Sequence, residues 1–215
     1  MMRSHLSNMV HGVFLCSILF YSSLMAQNNI SPQASETALM SCFAESNLPW
    51  SDDEFFKTQG FNHPISLVIF RVIEPTNRQE LLFEIDQKIY RTDRPWGQPW
   101  KKPLAVDPSI ARFVRQNWSA LRDDLVKPFR AKPVQRIDEQ SNRTSDEPEL
   151  AHIGLSSQNR SYDYVLFYRD FCVTRQFEQK DLGLEWADYN QTFNFNQTLK
   201  LTKLHRMVDD VFLYH

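Results

Sequence analysis

Residues 64–73 read PISLVIFRVI, apolar on both phases of a two-residue repeat. A strand with that pattern is buried on both faces and belongs in the middle of a sheet. Glu74-Pro75-Thr76-Asn77-Arg78 supplies a turn. From Gln79 the pattern alternates, with Leu81, Phe83, Ile85 and Ile89 on one face and Glu84, Asp86 and Lys88 on the other. This predicts a half-buried strand pairing back on its predecessor, a central hairpin spanning about 64–91 with one wet face.

Helical periods bracket the hairpin. Leu39, Cys42 and Phe43 form one stripe over residues 35–46. Ser51 with Glu54 three residues later is a capping-box spacing, which predicts a short second helix over 52–58 that Gly60 is placed to end. Asp107-Pro108 opens a further helix running to about 127, with Asp as cap and Pro in the first turn. Ile110, Phe113, Val114, Asn117, Leu121 and Leu125 keep helical spacing there, Arg112, Arg115, Gln116 and Arg122 face away, and Pro128 stops it. Leu201, Leu204, Val208, Val211 and Phe212 mark a closing amphipathic helix over 200–213.

The remaining segments separate by composition. Three prolines and two tryptophans make 93–106 irregular. Polar residues dominate 130–160, which reads as a long loop or linker, partly disordered. Aromatic and β-branched residues favour strands across 162–178, and Phe193 and Phe195 alternate with Asn in a further short strand at 191–196. No parallel strand–helix–strand alternation emerges. The class is α+β, an antiparallel sheet packed by helices at 35–46, 107–127 and 200–213.

Ahead of this lies a different pattern. Arg3 is followed by an apolar run over 13–24 and a small residue, Ala26. Basic end, short apolar core and small residue at the cut are the three parts of a secretory signal peptide. The run is about 12 residues, and a membrane span needs about 20. The expectation is a leader at 1–26 and a single exported domain at 27–215, periplasmic or secreted, with no membrane span after cleavage. Cys16 is no lipoprotein anchor, because the apolar run continues through it.

Export changes what the cysteines mean. Cys42 and Cys172 remain after cleavage, and in an oxidising compartment such a pair forms a disulfide. The bond would tie the N-terminal helix to the late strands. Neither cysteine has a CxxC partner or neighbouring His, so neither has the setting of a catalytic thiol.

Charge and glycine narrow the chemistry. The chain carries 24 Lys and Arg against 26 Asp and Glu, a formal net charge of −2, which argues against a dedicated nucleic-acid binder. Gly60, Gly97, Gly154 and Gly183 are too scattered to cradle a phosphate, so no cofactor is implied. His63, His152, His205 and His215 stand at no metal-ligand spacing, and no metal site is expected. No GxSxG nucleophile elbow occurs.

Two constellations carry chemistry. Glu74 followed by Asp86-Gln87-Lys88 gives an acid and then an acid-x-Lys triplet. That pattern resembles metal-dependent nucleases of the PD-(D/E)xK kind, in which paired carboxylates bind a divalent ion and the Lys assists the attacking water. An acid-x-Lys triplet also arises by chance in most chains of this size, and any solvated strand shows a charged alternating face. The second is Arg94-Pro95-Trp96-Gly97-Gln98-Pro99-Trp100-Lys101-Lys102, where Trp held by prolines and flanked by cations suits a rigid contact surface. Trp96, Trp100 and Lys101 are its candidate binding residues. The bland alternative folds both indoles back over the core.

Asn29, Asn117, Asn142, Asn159, Asn190 and Asn196 each begin an N-x-S/T sequon. In a eukaryote these would mark a glycoprotein; Asn117 falls mid-helix, and a bacterial periplasm is favoured. The expectation is therefore a non-catalytic envelope protein, resembling an inhibitor or immunity protein, that binds a protein or cell-wall component. The rival is an exported hydrolase whose site converges from separate segments, with Asp86, Lys88 and His205 as candidates.

Overall fold

The computed structural model describes residues 32–46, 55, 65–132, 136–137, 144–145 and 160–213. The expected leader at 1–26, most of the expected helix at 52–58 (Phe55 is helical) and most of the polar segment at 130–160 lie outside the described residues. Helix α1 is Pro32–Glu45, followed by strands β1 (Ile65–Glu74), β2 (Arg78–Ile85), β3 (Lys88–Arg94) and β4 (Leu104–Val106). Helix α2 (Ser109–Asp123) precedes a two-residue pair, β5 (Arg136–Ile137) and β6 (Thr144–Ser145), and then β7 (Ser161–Tyr168) and β8 (Phe171–Glu178). Three helices close the chain: α3 (Gln179–Leu182), α4 (Phe193–Thr198) and α5 (Lys200–Leu213).

The main sheet has six strands in the order β4-β3-β2-β1-β7-β8, every neighbouring pair antiparallel. The chain is α+β, and β1 is central as its two-sided apolar pattern requires. Asp86 and Gln87 take positive φ of 50° and 63°, and Arg169 and Asp170 take 49° and 65°. Consecutive left-handed residues make the two-residue turns whose twist matches a hairpin. These turns join β2 to β3 and β7 to β8 without the Asn-Gly or Asp-Gly dipeptide that normally announces them.

Period-two alternation sends side chains to two different cores. Leu67, Ile69, Leu82, Ile89, Leu166 and Phe177 face α2 and α5, which contribute Ile110, Val114, Leu121, Leu201, Leu204 and Val208. Val68, Phe70, Val72, Leu81, Phe83, Val165 and Phe167 face α1, meeting Leu39, Cys42 and Phe43 together with Phe55 and Trp100. Each fully buried aliphatic or aromatic side chain here contributes roughly 1.5–3 kcal/mol of transfer free energy. Cys42 and Cys172 are disulfide-bonded, with Cα atoms 5.5 Å apart, which fastens α1 to edge strand β8. Among the described residues no helix is long and apolar enough to cross a membrane.

Five local expectations are corrected. The second hairpin strand has no wet face: Glu80 and Glu84 are 2% and 1% exposed, because Arg71 and Arg115 pair with them beneath the helices. Arg115, expected to face away, thereby anchors α2. The Asp86–Gln87 turn also moves Ile89 to the face opposite Leu81, Phe83 and Ile85. The short strand expected at 191–196 is helical from Phe193: buried Phe193 and Asn196 stand three apart, and Phe195 points outward at 42% exposure. Helix α2 ends at Asp123, where Asp124 turns extended, leaving Leu125 exposed beyond it.

The sequons resolve into structure. Asn190 is 2% exposed and Asn196 0%. The Asn190 side-chain oxygen accepts from the backbone N–H of Arg130 (3.2 Å) and Thr192 (2.9 Å). Asn196 accepts from Lys127 N–H (2.9 Å) and donates to the carbonyls of Lys127 (2.8 Å) and Asp181 (3.0 Å). Both amides clasp segment 127–132 to the α3–α4 region, leaving no room for a glycan in the folded protein. Asn117 donates to Phe113 O within α2. Asn29, Asn142 and Asn159 lie outside the described residues.

Candidate functional site

Antiparallel register lines up one transverse row across the sheet on the α5 side: Asp93 opposite Glu80, Glu80 opposite Arg71, Arg71 opposite Tyr164, Tyr164 opposite Arg175. The middle of this row is sealed. Arg71 is 2% exposed, and its guanidinium donates to Glu80 Oε2 from both Nε (2.8 Å) and Nη2. Its Nη1 donates to Tyr164 Oη at 3.1 Å and to Asp209 Oδ1 on α5. Burial alone would lower the Arg71 pKa, but Tyr164, Glu80 and Asp209 outweigh it and raise it, so the cation persists.

His205 completes the cluster from α5. Its Nδ1 lies 2.8 Å from Tyr164 Oη and its Nε2 lies 3.5 Å from Asp209 Oδ2. Burial lowers its pKa to about 4 against the opposing pull of Asp209, so the ring is neutral at pH 7. The neutral tautomer that fits carries its proton on Nε2 toward Asp209 and accepts the Tyr164 hydroxyl at Nδ1. Burial likewise raises the Tyr164 pKa and keeps the phenol protonated. An Asp–His–Tyr chain has the parts of a proton relay. Here it has no substrate face: Tyr164 is 1% exposed and His205 7%, with Tyr162 and Phe177 packed on the imidazole at centroid distances of 4.5 and 5.1 Å.

The outer end of the row opens. A cavity of about 210 Å³ lies where β3, the β3–β4 loop and the last turn of α5 meet. Arg78, Arg91, Lys101 and Lys102 line it with a single carboxylate, Asp93; Thr92, Leu104 and Phe212 complete the wall. Asp93 Oδ2 holds Lys101 Nζ at 2.8 Å and Arg78 Nη2 at 3.3 Å. Arg78 Nε is 3.2 Å from Glu80 Oε1, yet it makes no hydrogen bond of acceptable geometry. Arg91 donates from Nη1 to Val211 O at 2.6 Å, with its guanidinium over the Phe212 ring at 5.9 Å. A shallower depression of about 650 Å³ continues from Arg91 and Leu104 along Ala105, Val106 and Asp107.

The Trp-Pro loop rises beside this cleft. Its tip is a turn closed by Gln98 N–H to Pro95 O at 3.1 Å, with Gly97 at φ 70°. Left-handed backbone in that third position is what a type II turn asks of glycine. Trp96 occupies the preceding position and is 54% exposed. Trp100 folds the other way, against Phe55 at 5.1 Å, with Arg94 stacked on it at 4.5 Å. The three candidate binding residues thus separate: Trp96 at the tip, Lys101 on the cleft rim, Trp100 in the α1-side core.

The hydrolase and nuclease candidates do not converge. Asp86 and Lys88 are exposed at the β2–β3 turn, about 20 Å along the strands from the row that His205 covers. Glu74 ends β1 at the opposite end of the hairpin from Asp86, about 30 Å away. Among the described residues no group of three His, Cys, Asp or Glu is placed to hold a metal ion.

Sequence reasoning singled out Lys101 and Lys102 in the Trp-Pro segment but missed Arg78 and Arg91, which join them only through the pairing of β2 with β3. One signal was available: Arg71 stands inside a run apolar on both faces, and a buried guanidinium demands carboxylate partners nearby. Comparison with protein-family models, with curated proteins and with solved structures yields no match.

Proposed function

We propose that this chain is an exported, disulfide-braced, non-catalytic protein that binds a partner in the envelope or outside the cell, in the manner of an inhibitor or immunity protein. The leader pattern at 1–26 supports export, and the Cys42–Cys172 bond suits an oxidising compartment. The observation that carries the reading is the cleft at the β3–β4 end, where among the described residues four cations and one carboxylate line a recess at the base of the loop that carries the exposed Trp96. Trp and Arg at a concave surface are the residue types that concentrate binding energy at protein interfaces. Among the described residues, the acid–base chain of His205 with Tyr164 and Asp209 has its imidazole and phenol buried in the core, which supports a structural role for it.

Affinity capture from the native cell-envelope fraction tests the proposal. The mature protein is expected to retain a defined protein partner at a fixed stoichiometry, and Trp96→Ala is expected to weaken that retention by about tenfold or more. Hydrolysis of a peptide, glycan, ester or nucleic-acid substrate that is abolished by His205→Ala in a folded variant would overturn it.

A further inference from the structure

Resting on the binding reading above, we infer that the cleft lined by Arg78, Arg91, Lys101 and Lys102 is a carboxylate-binding site for an acidic segment of the partner protein. The cleft already holds one carboxylate. Asp93 sits between Lys101 Nζ and Arg78 Nη2, so the structure displays the contacts an incoming Asp or Glu side chain makes. Arg78 is oriented by Glu80, whose Oε1 lies 3.2 Å from its Nε, while the side chain as a whole stays 41% exposed at the recess. Setting Arg91 aside, Arg78, Lys101 and Lys102 still outnumber Asp93 among the described lining residues, and their charge is focused in a recess rather than spread on a surface.

Size and setting select a protein segment. The recess of about 210 Å³ fits one or two acidic side chains, and the open depression of about 650 Å³ that continues from Arg91 and Leu104 gives room for the chain that carries them. Leu104 at its rim, 53% exposed, and the Phe212 wall offer apolar contact to the aliphatic part of those side chains. A polynucleotide needs a continuous basic track, whereas this chain has a net charge of −2 and gathers its cations in one recess. A phosphate-specific cradle would use successive backbone N–H groups in a glycine-rich loop, and no glycine is among the lining residues here.

The test uses the mature protein and a fluorescein-labelled oligoglutamate peptide, read by anisotropy. Saturable binding is expected at low salt, weakened about tenfold by raising the salt. The Lys101→Glu/Lys102→Glu variant is expected to lose at least tenfold in affinity. A control of equal charge, Lys88→Glu/Lys200→Glu, changes exposed lysines outside the cleft lining and is expected to lose under threefold. Inorganic phosphate and an oligothymidylate of matched charge are the competing arms, and both are expected to bind more weakly than oligoglutamate. Absence of oligoglutamate binding, equal losses in the two double variants, or tighter binding of either competitor would each overturn the inference. If Trp96→Ala still weakens partner capture in that event, the binding reading stands and only the carboxylate site falls.

Discussion

Two ends of one row of side chains behave in opposite ways. At the centre of the sheet Arg71 is matched by Glu80 and Asp209, joined to Tyr164, and roofed by His205. Two strands away Asp93 is shared between two cations in an open recess with two more. The difference follows from solvent. A charge removed from water costs several kcal/mol unless partnered, so the covered end must be balanced. At the open end Arg78, Lys101 and Lys102 stay in contact with solvent, so a surplus is tolerated there. A complete polar network therefore marks architecture, and an unbalanced one at a concave surface marks a site.

The largest expected effect breaks the sealed end. Arg71→Met strands Glu80 and Asp209 without their cation and should cost about 3–5 kcal/mol in equilibrium denaturation. The acidic-peptide affinity of the fraction that folds should stay within about threefold, because the recess does not use Arg71.

Next in size is a pH effect from His205. Its folded pKa is lowered to about 4, below the ordinary value of 6.5. Above pH 6.5 both folded and unfolded forms are neutral and the group contributes no pH dependence. Between 6.5 and about 4 the unfolded chain takes up the proton first, so stability falls with pH, by about 3 kcal/mol across the window. Below about 4 the loss levels off. Denaturation midpoints of the wild type and His205→Gln across that range should converge as the pH falls; parallel curves would contradict the buried neutral ring.

Tyr164→Phe removes one hydroxyl and leaves His205 Nδ1 and Arg71 Nη1 each short of a partner. A cost of about 1–3 kcal/mol is expected in chemical denaturation. The smallest effect belongs to the open end. Lys102→Glu should leave the melting temperature within about 2 °C of wild type. It should still weaken acidic-peptide binding in anisotropy, which separates the two regions in one experiment.

Much of this fold was readable from local pattern. The two-sided apolar run gave central β1, and the aromatic run gave β7 and β8. The Cys42–Cys172 pair followed from counting the cysteines that lie outside the apolar run at 13–24. What stayed hidden was tertiary. Glu80 and Glu84 look like a wet face until helices bring Arg115 and Asp209 over the sheet. The helix at Phe193–Thr198 was misread because Phe-Asn-Phe-Asn alternates by two, while the buried members, Phe193 and Asn196, are spaced by three. Trp96 was visible because Pro95 and Gly97 fix a turn locally, and Lys101 and Lys102 stand in the same segment. Arg78 and Arg91 were not, since they reach the recess only through the pairing of β2 with β3.

The contrast between the two ends is tested most directly by nuclear magnetic resonance of the arginine Nε–Hε groups during titration with oligoglutamate. The account predicts that the Arg78 signal moves saturably while the Arg71 signal, locked onto Glu80, stays fixed. An unmoved Arg78, or an Arg71 that shifts with it, would contradict the division into a sealed network and an open carboxylate site.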